Sequence, residues 1–153
     1  MIYSEAIQLA NMADASRIAE LSRDLIESGL GWSWTTSRVL KAIKAKDSNV
    51  IVTRERKHVI GFAIMRYLEA ESHLDLFGVV PHHRRKGVGT GMIKWLEKTA
   101  LCNGSGVVYL ETRLSNNEAR AFYKSLGYEV IQQIPGYYKG IESAVRLAHD
   151  LWS

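Results

Sequence analysis

Cysteine is scarce in this sequence: Cys102 is the only one among 153 residues. A single cysteine excludes an internal disulfide framework and fits a reducing compartment. No apolar run approaches the roughly 20 residues that a bilayer-spanning helix needs. Residues 1–5 lack the basic start and apolar core of a secretory leader. We therefore expect a cytoplasmic protein without membrane contact, in which Cys102 is a small buried side chain at a helix end.

Low-complexity segments, long linkers and internal repeats are also lacking, so we expect a single domain over residues 1–153. Hydrophobic residues make up 46% and charged residues 24% of the chain, as in ordinary globular proteins. The formal charge is +4, and three of the cations are consecutive, from Arg84 to Lys86. This local charge indicates an anionic ligand, but it is too small and too localised to indicate a nucleic-acid groove.

The apolar periodicities and turn residues predict an α/β domain. Strands are predicted at 6–9, 50–53, 59–67, 74–80, 107–111, 128–134 and 143–147. Helices are predicted at 14–28, from an N-cap at Thr36, from the glycine loop to about residue 100, and at 117–126. We predict a loop from Pro135 to Tyr138. This order indicates a mixed, mostly antiparallel sheet of about seven strands with helices on both faces.

The most informative segment is the loop that follows the strand ending at Val80. A proline, three consecutive cations and three glycines at alternate positions (87, 89 and 91) precede a helical pattern. Free N–H groups at a helix N-terminus, close backbone approach at glycine and nearby cations together form a phosphate site. The loop lacks the Walker pattern, and Met92 stands where a dinucleotide fingerprint needs its third glycine.

Two motifs resemble the GNAT superfamily of acetyl-CoA-dependent N-acetyltransferases. The first is V-x-P-x-x-R-x-x-G-x-G, and the second is N-x-x-A-x-x-F-Y-x-x-x-G-Y. The first is matched by Val79, Pro81, Arg84, Gly87 and Gly89, and the second by Asn116, Ala119, Phe122, Tyr123, Gly127 and Tyr128. With the order of elements, the resemblance covers nearly the whole chain and implies the GNAT fold.

Within that superfamily, the chain is nearest in motifs to the ribosomal-protein-alanine and other protein N-terminal acetyltransferases. Leu110-Glu111-x-Arg113 resembles their L-E-V-R segment, and Tyr137-Tyr138 with the following Glu142-Ser143-Ala144 resembles their Y-Y-x-x-x-E-D-A hairpin. Ser143 replaces an aspartate, and the loop 29–36 does not resemble that subgroup.

The resemblance implies two catalytic residues. Glu111 is expected to take the proton of the attacking amine, directly or through water. Tyr123 is expected to protonate the CoA thiolate as it leaves, or alternatively only to donate a hydrogen bond to the sulfur. The plainer interpretation of Glu111 is an exposed carboxylate at a strand end that pairs with Arg113 or Arg120. Phe122, beside Tyr123, is expected to pack in the core.

The resemblance also implies where acetyl-CoA binds, with no metal required. The Val79 N–H is expected to bind the thioester oxygen, and Asn116 either the pantetheine arm or the N-terminus of the next helix. The expected cofactor-binding set is Phe77, Gly78, Val79, Arg84, Arg85, Lys86, Gly87, Val88, Gly89, Thr90, Asn116 and Tyr123. We interpret His82 and His83 as loop residues near phosphate rather than as metal ligands.

Four aromatic residues could form the walls of an acceptor pocket. Trp32 and Trp34 lie in a glycine-flanked loop, and Tyr137 and Tyr138 lie near the C-terminus. Their alternative role is core packing, but aromatic faces can also hold a cationic amine.

The sequence therefore predicts an N-acetyltransferase that moves the acetyl group of acetyl-CoA directly to a primary amine. The acceptor is a protein N-terminus or a small molecule, and no nucleic acid is expected to bind. A homodimer is suggested by the superfamily resemblance alone. The alternative function is a non-catalytic module that binds acyl-CoA or nucleic acid.

Overall fold

The computed structural model describes residues 6–153, so the segment 1–5, on which the expectation of no leader depends, lies outside the described residues. The strands are β1 (Ile7–Leu9), β2 (Ser48–Glu55), β3 (His58–Tyr67), β4 (Glu71–Val79), β5 (Val107–Arg113), β6 (Glu129–Tyr138) and β7 (Glu142–Asp150). The helices are α1 (Ala15–Leu21), α2 (Thr36–Lys44), α3 (Val88–Cys102) and α4 (Asn117–Ser125).

The seven strands of residues 6–153 form one sheet in the order β1-β2-β3-β4-β5-β7-β6. Strands β1 to β4 form an antiparallel meander, and β7 pairs antiparallel with both β5 and β6. The central pair β4–β5 is parallel and short, because only 71–73 pair with 107–109. The predicted mixed, mostly antiparallel sheet of seven strands is thus confirmed.

Each face of the sheet carries its own apolar core. On one face, α1 and α2 bury Ile18 and Val39 against Phe62 and Ile64 of β3. On the other face, α3 and α4 cover the remainder of the sheet, with Leu96 fully buried among its neighbours. The side-chain alternation of the strands sends successive residues to opposite cores, which confirms the prediction of helices on both faces.

The first helix ends in an irregular way that the sequence pattern did not show. A π-helical turn, Ser22–Ile26, follows α1, and the chain then turns at Glu27. Such widened turns often occur at functional sites. The N-cap of α2 is Thr35, not Thr36 as predicted, because the Thr35 hydroxyl accepts the N–H of Arg38 at 3.4 Å.

The predicted loop at Pro135–Tyr138 is wrong, because these residues belong to β6. The ladder with β7 is irregular between Ile134 and Tyr138, so Pro135 lies where its missing N–H removes no regular hydrogen bond. The chain instead reverses at Lys139 and Gly140, both with positive φ. Cys102 also differs from expectation, since its side chain is exposed at the end of α3.

Residues 6–153 contain no helix that is both long enough and apolar enough to cross a membrane.

Candidate active site

A cleft of about 1720 Å³ opens in the sheet where β4 and β5 separate. The two strands pair only up to His73 and Tyr109 and then diverge, so residues 74–79 lack β5 as a neighbour. Single-ligand sites have volumes of roughly 300–1,000 Å³. This cleft is therefore large enough for two substrates side by side.

The open edge of β4 presents backbone groups to this cleft. The Val80 N–H donates to the Ile60 carbonyl at 2.9 Å. In an antiparallel ladder the residues alternate, so Gly78 also points its backbone at β3 while Phe77 and Val79 point theirs into the cleft. Both residues belong to the cofactor-binding set that the resemblance implies, in which the Val79 N–H is expected to bind the thioester oxygen.

The phosphate loop forms one end of the cleft and leads into α3. Gly87 has a φ of +86°, which favours glycine, and it is the N-cap of this 15-residue helix. The first-turn N–H groups of residues 88–90 have no partner within the helix, and its dipole adds positive potential there. Arg85 pairs loosely with Glu118, at 3.7 Å.

Gly89 leaves space for a ligand beside the loop backbone, because a larger side chain at this position would occupy that space. A Cβ at Gly89 would lie 3.0 Å from the Phe77 ring and 3.2 Å from the Phe122 ring. These two rings stack with their planes 4° apart. Phe122 packs against the core, as predicted, but it is only partly buried and also lines the cleft. The residues present fit acetyl-CoA, whose pyrophosphate would approach the backbone at this glycine.

The remaining loop residues divide into those that face the cleft and those that do not. Arg84 and Thr90 line it, whereas Val88 is 1% exposed and packs in the core. The Arg84 Nε donates to the Val79 carbonyl at 3.0 Å, which ties the loop to the edge of β4. The Lys86 side chain is exposed outside the cleft lining. His83 pairs with Glu55 of β2, Nε2 to Oε1 2.9 Å.

Asn116 and Tyr123 bring α4 to the cleft. The Asn116 Oδ1 accepts the Ala119 N–H at 3.0 Å, so Asn116 has the predicted helix-capping role. Tyr123 is 7% exposed, and its ring packs edge-on against Phe122 and Tyr128. Burial, followed by the proximity of Tyr138, raises the pKa of Tyr123 well above its usual range. Its hydroxyl therefore keeps its proton at neutral pH.

Glu111 lies on the cleft side of β5, with its side chain only 5% exposed. One oxygen, Oε1, is 2.7 Å from the His73 Nε2 and accepts the Tyr137 hydroxyl at 3.3 Å. The other, Oε2, accepts the Arg146 Nε at 2.6 Å. Burial alone would raise the pKa of Glu111, but the hydrogen bonds from His73 and Arg146 outweigh it and lower the pKa. Neither Arg113 nor Arg120 is its partner, contrary to the plainer interpretation.

These contacts continue across the sheet as a row of charged side chains that we call the ion network. Its members, from β3 to β7, are Arg66, His73, Asp75, Glu111 and Arg146. Neighbouring strands place these side chains side by side on the face of the sheet that carries α1 and α2. At the cleft, the two helices leave this face uncovered. With His73 protonated, the network has three cations and two carboxylates, so its net charge is positive.

The four aromatic residues predicted as acceptor walls separate into two groups. Tyr137, Tyr138 and Trp34 line the cleft, and Trp34 is also part of the core beneath α2, with Arg38 stacked 3.7 Å from its ring centroid. Trp32 differs from the prediction: its Nε1 donates to the Ala19 carbonyl at 3.1 Å. It packs against the outside of α1 rather than lining the cleft.

Two charged residues hold the acceptor wall in place: Glu27, which the sequence analysis did not single out, and Arg113. The buried Glu27 carboxylate accepts hydrogen bonds from Ser22, from the Ser33 N–H and hydroxyl, and from the Trp34 N–H. The Arg113 Nη2 donates to the carbonyls of residues 26 and 28, at 2.8 and 2.7 Å. The loop opposite the tyrosines is thus fixed from both sides.

A model of the acetyltransferase (GNAT) family matches residues 17–128, which include the phosphate loop and both catalytic candidates. The chain belongs to the GNAT acetyltransferase family. It is therefore an acyltransferase, and this membership argues against the alternative of a non-catalytic module.

Individual members of the family show the same relationship. N-alpha-acetyltransferase RimI of Mycobacterium tuberculosis is 28% identical over 131 residues, which cover 83% of this chain and 80% of that protein. Among solved structures, Arabidopsis thaliana NAA60 in complex with acetyl-CoA superposes with a TM-score of 0.85 at 16% identity, over 96% and 98% of the two chains. Ard1 from Thermoplasma volcanium gives 0.82 at 22% identity, over 94% and 95%. These structures confirm the GNAT fold.

His73, Asp75 and Arg146 are the main site residues that sequence reasoning missed. A weak signal was available, because His73 and Asp75 are charged residues two positions apart in an apolar strand. Residues at that spacing share a face of the strand. Arg146 gave no such signal, because its position opposite Glu111 depends on the pairing of β5 with β7.

Proposed function

We propose that this chain transfers the acetyl group of acetyl-CoA to the α-amine of a polypeptide. One observation carries the proposal: an ionised carboxylate, Glu111, and a protonated phenol, Tyr123, line one cleft that has a phosphate loop at its end. Acetyl-CoA is the co-substrate, and both substrates would be bound together before the reaction.

The amine must lose its proton to attack. A new N–C bond forms as the C–S bond of the thioester breaks, and the amine proton passes to the Glu111 carboxylate, directly or through water. The lowered pKa of Glu111 makes it too weak a base to deprotonate an ammonium group. The amine therefore enters in its neutral form, and the proton that Glu111 takes is the one that the nitrogen loses once the N–C bond forms. The ion network favours the neutral amine as well, because its net positive charge disfavours an additional cation, such as an ammonium group, beside it.

The two other groups act on the acetyl end of the reaction. The Val79 N–H, at the open edge of β4, would donate to the thioester oxygen while negative charge develops there. The Tyr123 hydroxyl would give its proton to the departing CoA thiolate. Burial raises the pKa of Tyr123, so the phenol is still protonated when the thiolate forms, and its hydroxyl can donate a hydrogen bond to the sulfur or pass its proton to it.

The shape of the acceptor side supports a polypeptide. Its walls are the loop around Ile26 and Ser28 on one side and Tyr137 and Tyr138 on the other. Ser28 and Tyr137, at the rim of the slot between these walls, are exposed to solvent, so a chain can extend outward behind the reacting amine. RimI of Mycobacterium tuberculosis, the relative described above, is itself named as an N-alpha-acetyltransferase.

The test is a peptide panel in which only the N-terminal residue changes, assayed with acetyl-CoA by mass spectrometry. Matched controls are the same peptides with a blocked α-amine and one internal lysine, and a set of small primary amines. We expect transfer to free α-amines and none to blocked peptides. Turnover confined to small amines would overturn the polypeptide acceptor, and turnover confined to blocked peptides would make the acceptor a lysine side chain.

Two expectations stay predictions: the homodimer that the family resemblance implies, and the cytoplasmic location expected from the scarcity of cysteine and the lack of a leader. Size-exclusion chromatography with light scattering would decide the first.

A further inference from the structure

His73 is held between two carboxylates in the floor of the cleft. Its Nδ1 contacts the Asp75 Oδ1, and its Nε2 lies 2.7 Å from the Glu111 Oε1. Arg66 holds Asp75 from the other side with two hydrogen bonds of 3.1 Å. The His73 side chain is 21% exposed, so little water competes with these contacts.

We propose that His73 is a positioning residue: fixed by Asp75 and Arg66, it acts as a permanent cation that holds the Glu111 carboxylate ionised and aimed at the acceptor amine. The inference rests on the proposed role of Glu111. His73 belongs to neither the phosphate-loop motif nor the motif that contains Tyr123, so its role is additional to theirs.

The geometry leaves His73 only one protonation state at neutral pH. A neutral imidazole has one donor and one acceptor nitrogen, whereas both nitrogens here face carboxylate oxygens that only accept. Burial would lower the pKa of His73, but the hydrogen bonds to Asp75 and Glu111 outweigh it and raise the pKa to about 9. His73 is thus an imidazolium and cannot itself take the amine proton.

The charged and titratable groups around His73 and Glu111 come from each neighbouring strand. They are Arg66 of β3, Asp75 of β4, Tyr109 and Glu111 of β5, Tyr137 of β6 and Arg146 of β7. Arg146 holds only the Oε2 atom of Glu111, and the Tyr137 hydroxyl reaches Oε1 at the longer distance of 3.3 Å. His73 fixes that second oxygen.

The first test is an NMR titration of the His73 imidazole in the ligand-free protein, which needs no turnover. We expect the resonance to titrate near pH 9 in the wild type and at least one unit lower in Asp75→Asn, because the loss of an adjacent opposite charge shifts a pKa by about 1–3 units. A wild-type resonance that titrates near pH 6.5 would overturn the proposal.

The second test compares the pH profiles of kcat for the wild type and His73→Gln. Glutamine can still donate a hydrogen bond to Glu111 but carries no charge. We expect kcat to fall and the acidic limb of its profile to move to higher pH by about one unit, because Glu111 loses a neighbouring cation.

The matched control is His149→Gln. His149 pairs with Glu97 at 3.0 Å and is 23% exposed, but it lies on the other face of β7. We expect this variant to lose stability without moving the pH profile. If His73→Gln also leaves the limb in place, the residue is only structural. If no acceptor is acetylated at all, the proposed function fails, while the titration still decides whether His73 is the cation that holds Glu111.

Discussion

Replacing Glu111 by glutamine is the most direct test of the reaction proposed above. The substitution keeps the size of the side chain but removes its charge and one acceptor. The three partners of the carboxylate, His73, Arg146 and the Tyr137 hydroxyl, are all donors. The new amide NH₂ must therefore face one donor with another donor, in a position where the side chain is 5% exposed.

The size of the effect follows from these contacts. A general base contributes roughly 10²–10⁴ in rate, so kcat should fall at least about 100-fold, which corresponds to about 2.7 kcal/mol. One unsatisfied buried partner costs about 1–3 kcal/mol of folding free energy. For a domain of this size, the melting temperature should fall by roughly 2–12 °C.

The assay is steady-state release of CoA, with acetyl-CoA affinity measured separately by calorimetry. Acetyl-CoA binding should be retained, because Glu111 lies across the cleft from the phosphate loop. Glu97→Gln is the matched control: Glu97 accepts from Tyr128 at 2.8 Å and pairs with His149, with its side chain 15% exposed, on the opposite face of the sheet. It should lose stability but keep its kcat.

A Glu111→Gln enzyme that is folded, binds acetyl-CoA and retains kcat within about threefold of the wild type would refute the assignment of Glu111 as base. A fall in kcat that Glu97→Gln reproduces would show instead that the loss comes from destabilisation.

Three further predictions follow. Tyr123→Phe should lower kcat about tenfold or more with unchanged acetyl-CoA affinity, and full activity would reject proton donation by Tyr123. Gly89→Ala should weaken acetyl-CoA binding measured by calorimetry, because its Cβ would lie 3.0 Å from the Phe77 ring; unchanged affinity would place the pyrophosphate elsewhere. The unfolding free energy, measured by urea titration, should fall on both sides of neutral pH. The pKa of Asp75 is lowered on folding, so its contribution is lost as the pH falls below about 4. The pKa of His73 is raised, so its contribution is complete below pH 6.5 and lost as the pH rises through about 9; constant stability to pH 10 would contradict this.

Local sequence signals predicted the secondary structure well wherever one residue type controls the backbone. Asn103-Gly104 ends α3, and Gly87 with the preceding cations marks the turn into that helix, because positive φ and free helix ends depend on neighbouring residues only. The same reasoning failed at Pro135. A proline in an irregular edge strand and a proline in a loop have similar local sequences, and only the pairing with β7 distinguishes them.

The phosphate loop, Glu111 and Tyr123 are local features, and the sequence by itself was enough to recognise them and the family. Each of these features consists of residues that are neighbours along the chain or of a single residue within a local motif, so the sequence displays it without any knowledge of strand pairing. The tertiary structure alone decided the surroundings of Glu111. His73 and Arg146 are 38 and 35 residues away from it along the chain, and strand pairing brings all three to one face of the sheet. It also decided that Trp34 lines the cleft while Trp32 does not, because the direction of a loop side chain depends on the elements packed around it.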